Sequence, residues 1–279
     1  MIYTLSDGQS RVPPSDSCGA AAVIAVMPDD AGDGMNATLG DLLYSDGTKI
    51  PVPEADWAQL VQSIAAGDRQ ALRALYERAH HLVFTLILRI ANDYDTAEEM
   101  TIEVFEDVRR RASNYDATRE TVVGWMMNRA RSKAIHRRRF DSLQVIWPDV
   151  IRPSGLLWAR LARRLGIEAG GEATSALPEW PDPEWMEVSP GITVQLLATD
   201  AERDRVSMLV RLSPGVDYPP HRHAGVEELH LLDGELVIDE KKLYPGDYAW
   251  ALPGTADNRV WSETGCTCVL VTSPKDVLR

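Results

Sequence analysis

Cysteine is scarce in this chain. Three residues in 279, Cys18, Cys266 and Cys268, cannot build a disulfide framework, and that scarcity points to a reducing compartment and hence to the cytoplasm. No apolar run reaches the roughly 18 residues that a membrane span needs, so no membrane partner is expected. The apolar segment CGAAAVIAV at 18–26 follows Asp7 and Asp16 with no basic cluster, which makes a poor secretory signal. Positive charge is also short. Against 42 Asp and Glu stand 29 Lys and Arg, for a net charge of −13. A chain of that balance does not coat nucleic acid non-specifically, and any contact with DNA has to come from a local basic patch. A Walker loop, a dinucleotide fingerprint and a nucleophile triad are all missing, as is any internal repeat.

What remains is an ordinary globular composition, 44% hydrophobic and 25% charged, at a length suited to about two domains. Residues 1–52 are rich in Gly, Pro, Ser and Asp and read as a disordered or loosely structured segment, with Met35 as an alternative start. From Trp57 a helical period takes over. Trp57, Leu60, Val61 and Ile64 share one face, Gly67 and Asp68 form a break and a cap, and a long stripe follows from Leu72 to Ile90. Asp95 and Glu98 suggest the start of a third helix, and a fourth runs from about Thr121 to Arg139. Residues 53–140 therefore form a four-helix bundle. Residues 141–180 form a linker with one short amphipathic helix in LLWARLARRLGIE. After Gly191 the period becomes two, and 181–279 reads as an all-β barrel. The fold class is a two-domain one, α then β.

The fourth helix and its tail carry Arg129, Arg131, Lys133, Arg137, Arg138 and Arg139, with Trp125 close by, a pattern that can hold phosphates and stack on an unpaired base. The third helix is acidic: Glu98, Glu99, Glu103, Glu106 and Asp107. Two solvated helix faces would give the same charge runs. The stretches LVQSIAAGDRQALRALYERAHHLVFTLILRI, TAEEMTIEVFEDVRRRASNYD and GWMMNRARSKAIHRRR, in that order and spacing, resemble region 2 of the extracytoplasmic-function (ECF) sigma factors over about residues 57–139. The resemblance implies that Glu98, Glu99, Glu103 and Asp107 meet the β′ clamp helices of core RNA polymerase, with Phe105 at or near that surface. It also implies that Trp125, Asn128, Arg129, Arg131, Lys133, Arg137, Arg138 and Arg139 lie near promoter DNA at the −10 element. ECF sigma factors carry a second, helix-turn-helix domain, region 4, and about 50 residues between Phe140 and the β half leave no room for it.

In the β half, Gly215, His221, His223, Glu227 and Gly234 stand at the spacing G(x)5HxH(x)3E(x)6G. His221, His223 and Glu227 share strand parity and can all point into a barrel, whereas His230 has the opposite parity. Two imidazoles and a carboxylate suit a divalent metal, zinc first, with iron or manganese fitting the same ligand types. This spacing is the first cupin motif. The second cupin motif normally supplies a histidine; here Asp257 stands about where that ligand belongs. Cys266 and Cys268, two apart on one strand, read either as small core residues or as a redox-sensitive pair facing the metal. HRHAGVEELHLLDGEL, YPGD and GCTCVLV resemble the cupin domain of ChrR-like anti-sigma factors, which implies a zinc site and a role in oxidative stress responses; a cupin–cupin homodimer is a further expectation.

Together these resemblances imply a transcription-initiation regulator rather than an enzyme: a sigma region 2 domain controlled in cis by a metal-binding sensor. The alternatives are a metal-dependent cupin enzyme of the dioxygenase or isomerase type, and a regulator that occupies core polymerase without initiating. The proline-rich stretch 177–190 is expected to act as a tether between domains that nothing obliges to pack. If the cupin touches the bundle, the acidic helix from Glu98 to Asp107 is the expected surface.

Overall fold

The helical period that opens at Trp57 becomes four packed helices in a computed structural model, which describes residues 2–5, 37–44, 52–137, 152–167 and 184–279. Helix α1 spans Leu39–Leu43, α2 Glu54–Ala65, α3 Arg69–Ala91, α4 Tyr94–Arg111, α5 Val122–Arg137 and α6 Leu157–Arg164. Asp68 caps α3 by accepting from the Gln70 and Ala71 amides. Asn92 ends that helix in the left-handed region at φ 54°. The cap of α4 is Asp93, accepting from the Thr96 amide at 2.7 Å, so Asp95 sits in the first turn and not at the cap. α2, α3, α4 and α5 form the bundle.

Among the described residues the β half has fourteen strands when the N-terminal one is counted. They are β1 (Ile2–Leu5), β2 (Met186–Ser189), β3 (Ile192–Asp200), β4 (Arg205–Leu212), β5 (Val216–Tyr218), β6 (His221–Arg222), β7 (Glu227–Gly234), β8 (Leu236–Ile238), β9 (Lys241–Leu243), β10 (Tyr248–Ala251), β11 (Ala256–Asp257), β12 (Val260–Ser262), β13 (Cys266–Thr272) and β14 (Val277–Leu278). Seven form an antiparallel sheet in the order β1-β10-β7-β13-β4-β3-β2, and smaller sheets β11-β6-β14 and β5-β12-β8-β9 complete the barrel. One face of the large sheet lines the barrel interior with Val206, Met208, Val210, Leu229, Leu231, Cys268 and Leu270.

The other face of that sheet is covered by the bundle. Leu197, Ala198, Leu232 and Val269 belong to the same buried cluster as the helical core. Gly124 in α5 makes the close approach feasible: a Cβ there would meet Thr121 Oγ1 at 3.2 Å, Glu228 Oε2 at 3.3 Å and Val271 Cγ2 at 3.7 Å. Polar contacts tie the halves at several points. Trp57 Nε1 donates to Leu197 O at 3.1 Å, and the Thr199 amide donates to Val52 O at 3.0 Å. Ser207 Oγ donates to Thr121 Oγ1 at 3.1 Å, and Arg89 pairs with Asp233 at 2.6 Å. The expected tether is therefore replaced by a packed interface, because the large sheet is apolar on both sides and needs two covers.

The segment 1–52, read as loose, also contributes ordered pieces. β1 pairs with β10 at the sheet edge. α1 starts in a capping box between Thr38 and Asp41 and buries Leu39 and Leu43 in the barrel core. Its backbone is held by the far end of the chain: the Leu39 amide donates to Asp276 O and the Leu278 amide to Ala37 O. The barrel thus takes residues from both sides of the bundle.

Glu54 lies at the junction of the two halves and is 4% exposed. One of its oxygens accepts from the Val122 amide at 2.6 Å, at the N-terminus of α5, and from the Tyr115 hydroxyl at 3.3 Å. Burial pushes its carboxyl up to about 7, outweighing those hydrogen bonds. A folded pKa above the unfolded one means that stability is full below the unfolded value near 4.5 and is lost as pH rises through about 7. Glu54→Gln is therefore expected to stabilise the protein at pH 8, by on the order of 3 kcal/mol at most, and to change little at pH 4.5. Urea unfolding at the two pH values checks this; a pH-independent difference contradicts it.

Candidate metal centre

Three short segments bring four side chains together inside the barrel. β6 supplies His221, the turn after it supplies His223, and β7 begins with Glu227. β11 pairs with β6 so that Asp257 stands directly opposite His221. All four residues are buried, and one ligand atom from each lies within 4.8 Å of every other. His221 Nε2 is 3.9 Å from Glu227 Oε2. His223 Nε2 is 3.6 Å from Glu227 Oε1 and 3.8 Å from Asp257 Oδ2. These gaps exceed hydrogen-bond length, and they are close to the roughly 3.4 Å that separates two ligands sharing one tetrahedral ion at about 2.1 Å.

The ring nitrogens are sorted by their neighbours. His221 Nδ1 lies 3.1 Å from Pro219 O, which can only accept. His223 Nδ1 lies 3.1 Å from Thr255 Oγ1, whose own proton goes to Leu252 O at 2.7 Å. Both Nδ1 atoms therefore carry the proton, and both Nε2 lone pairs face the cluster, the tautomer a metal requires. His223 Nε2 and both Asp257 oxygens are buried without a hydrogen-bond partner. Such orphaned atoms are costly unless something cationic sits between them. The residues present therefore fit a divalent ion, which would neutralise the two carboxylates and polarise whatever oxygen completed its coordination.

The electrostatics agree. Burial and then Glu227 push the Asp257 carboxyl up to about 6. Burial alone would raise Glu227 and lower His223, but their mutual attraction wins, holding the carboxylate below and the imidazole above the ordinary value. Asp276 braces the loop from outside: it accepts from the Ala224 amide at 2.7 Å and from the Thr272 hydroxyl at 2.5 Å. His230, on the other face as its parity predicts, is fully buried with neither ring nitrogen bonded, and burial with Arg131 nearby pushes it down to about 3.

Cys266 and Cys268 are buried free thiols in the barrel core. Burial pushes Cys266 up to about 11 and raises Cys268 well above its ordinary value. Thiols so held are poor nucleophiles, which favours the core reading over the redox pair.

The helical residues are placed differently from the sequence expectation. Trp125 is 3% exposed, packed against Tyr115, with the Arg129 guanidinium 5.8 Å from its ring centre; it offers no platform for a base. Asn128 and Arg131 face the β half: Asn128 Nδ2 donates to Glu228 Oε1 at 3.1 Å, and Arg131 lies 5.5 Å over the Tyr248 ring. Tyr248 also donates to Glu228 Oε1, at 2.6 Å. Arg137 and Lys133 pair with Glu103 at 2.6 and 3.6 Å. Asp107 pairs with Arg110 at 2.8 Å, Arg111 at 3.0 Å and Arg129 at 3.7 Å. Arg138 and Arg139 lie outside the described residues, as does Cys18.

The acidic helix α4 is covered, but not by the barrel as expected. α6 lies on it. Arg160 meets Glu98 at 2.5 Å and Glu99 at 3.3 Å, Arg164 pairs with Glu99, and Arg164 meets Glu106 at 3.0 Å. The Ser154 amide adds a bond to Glu98 at 2.6 Å. The sequence points to α6 as an amphipathic helix but gives no sign of its partner; the only clue is Arg160 and Arg164 at i,i+4 beside Leu157 and Leu161.

Three antiparallel sheets folded around two histidines, a glutamate and an aspartate make the fold of a cupin. Within it, residues 175–276 match the ChrR cupin-like domain family. A further stretch is similar to curated ECF RNA polymerase sigma factors named SigK. The protein from Mycobacterium ulcerans is 34% identical over 94 residues, 34% of this chain and 50% of that protein. The one from Mycolicibacterium vanbaalenii is 29% identical over 100 residues, 36% of this chain and 51% of that protein. The chain spans about half the length of these relatives. Among solved structures, an acetylacetone dioxygenase from Acinetobacter johnsonii overlaps with a TM-score of 0.31 and 16% identity, covering 38% of this chain and 80% of that one; the fold assignment rests on the strand pairing and not on that overlap. The chain therefore joins a sigma-factor-like segment to a ChrR-like cupin. No helix among the described residues is long and apolar enough to cross a membrane.

Wild-type protein is expected to bind about one divalent ion per chain, and His221→Ala with His223→Ala to bind none. Asp257→Asn is expected to weaken binding by about tenfold or more, and Asp257→His to retain it. Because Asp257 must lose its proton first, affinity is expected to fall as pH drops below about 6. Calorimetric titration with zinc across pH checks all three statements.

Proposed function

We propose that this protein regulates bacterial transcription initiation. In this reading α4 meets core RNA polymerase at the β′ clamp helices, through Glu98, Glu99, Glu103 and Asp107. Asn128, Arg129, Arg131, Lys133 and Arg137 of α5 meet −10 promoter DNA. The cupin holds a divalent metal, zinc foremost, on His221, His223, Glu227 and Asp257, and controls the helical half in cis in the cytoplasm. The observation that carries the reading is the 34% identity over 94 residues to a protein named as an ECF sigma factor, in a chain that also holds a ChrR-like cupin.

The control in cis is supported by β7. Successive residues of a strand point to opposite faces, and Glu227 reaches into the metal cluster while Glu228 holds Asn128. One strand thus carries both a metal ligand and the residue that occupies part of the DNA-facing helix. The conformation described is a closed one in which Asn128 and Arg131 are turned to the sheet.

A second reading, a regulator that occupies core polymerase without initiating, is favoured by one observation: between α5 and β2, α6 is the only helix among the described residues.

Full-length protein is expected to co-purify with core RNA polymerase and metal in one sample. With core present, Glu228→Ala is expected to raise affinity for single-stranded −10 DNA by about tenfold by freeing Asn128, with the salt dependence unchanged because Asn128 carries no charge. Failure of the wild type to bind core removes the reading. Binding without promoter-directed RNA synthesis in a reconstituted assay selects the second reading over the first.

A further inference from the structure

The arginine-bearing helix on α4 occupies the surface that the proposed function assigns to polymerase. Leu157, Leu161 and Ala162 are fully buried against the bundle. The Trp158 ring sits 5.0 Å from that of Tyr76 on α3, with Arg73 at 5.8 Å over it. Arg160 and Arg164, one turn apart, engage Glu98, Glu99 and Glu106. The occupant therefore has a defined chemistry: leucines at i and i+4, arginines at i+3 and i+7, on one helical face.

We propose that this α3–α4 surface docks an arginine- and leucine-bearing amphipathic helix of a partner, and that α6 is the chain's own exchangeable occupant of it. The inference rests on the reading of α4 as the polymerase-facing helix. Three features make α6 exchangeable where α2 to α5 are not. It has eight residues, too few to be stable as an isolated helix, so the surface holds it in shape. Its first turn has no side-chain cap, and Leu156 at its start is 69% exposed. Its ion pairs are partly solvent-exposed on the arginine side, where such pairs hold weakly. Glu98, by contrast, is 5% exposed and accepts both the Ser154 amide and Arg160. Uncovering it returns a carboxylate to water but bares the apolar seats of Leu157 and Leu161, so the open surface is both acidic and apolar and favours another basic amphipathic helix over water.

The test uses the full-length chain in four versions: wild type, Arg160→Glu with Arg164→Glu, Arg160→Lys with Arg164→Lys, and Arg163→Glu on the exposed side of the same helix. Two probes are added separately, a labelled peptide of residues 152–167 and core RNA polymerase. The double glutamate variant is expected to bind both probes about tenfold more tightly than wild type, and the lysine pair and Arg163→Glu to stay within about twofold of wild type. Peptide affinity that is absent, or equal in wild type and the double glutamate variant, overturns the docking surface. Equal polymerase affinity for those two chains overturns the exchange. If the double glutamate variant does not fold, Leu161→Ala, which only trims the buried face, replaces it; it is expected to shift both probes by about threefold in the same direction, and no shift overturns the proposal. Polymerase binding to none of the chains removes the polymerase reading, and the peptide result then decides the docking surface by itself.

Discussion

The seven-stranded sheet is apolar on both faces, and most of the architecture follows from that. On β13, Leu270 points into the barrel, while Val269 joins the helical core and Val271 packs beside Gly124. Leaving such side chains in water would cost about 1.5–3 kcal/mol apiece, so the sheet must be covered twice. The barrel interior covers one face and holds the four ligands; α2, α3 and α5 cover the other. The two halves are consequently one packed body, and the helices nearest the sheet cannot be freed without exposing Leu197, Leu232 and Val269.

Charge is arranged around the same constraint. Where α5 meets the sheet, the side chains that must be polar are given partners: Asn128 and Tyr248 both donate to Glu228, and Arg89 pairs with Asp233. Away from the sheet, the acidic ridge of α4 is matched residue by residue with basic side chains of α5, α6 and its own last turn. The basic run of α5 is thus largely compensated within the described residues: Arg129 pairs with Asp107, Lys133 and Arg137 pair with Glu103, and Arg131 lies over Tyr248.

The local features were legible in the sequence, and the ones made by distant residues were not. Strand parity separates Glu227 from His230 on β7, because alternation is a property of the strand itself; His221 and His223 reach the same cluster from β6 and the turn after it, which parity along one strand does not describe. Asp257 was placed by its position in a motif, and the structure brings it opposite His221. Helix starts are legible to within a few residues, since a cap such as Asp68 acts locally, though the start read at Asp95 lies at Asp93. Trp125 was misjudged because its neighbours in sequence are arginines, while its neighbours in space are Tyr115 and the bundle core. Residues 37–43 fall in a segment whose sequence reads as loose, because two leucines are too few to show a sustained period; their order comes from Asp276 and Leu278 at the other end of the chain. One signal of the packed interface was present: CTCVLVT is a nearly continuous apolar run, the mark of a strand buried on both sides.

The barrel's use of residues from both sides of the bundle sets an order of assembly on the ribosome. β1 and α1 precede the bundle in the chain but find their partners only on β10 and around Asp276 and Leu278. The whole bundle is made in between, and at about 5–20 residues per second that delay is on the order of ten seconds. During it, α5 has no sheet to lie against, and Asn128 and Arg131 face open solvent. The barrel therefore cannot close its contacts with β1 and α1 until β10, Asp276 and Leu278 exist, by which time every helix of the bundle has already been made.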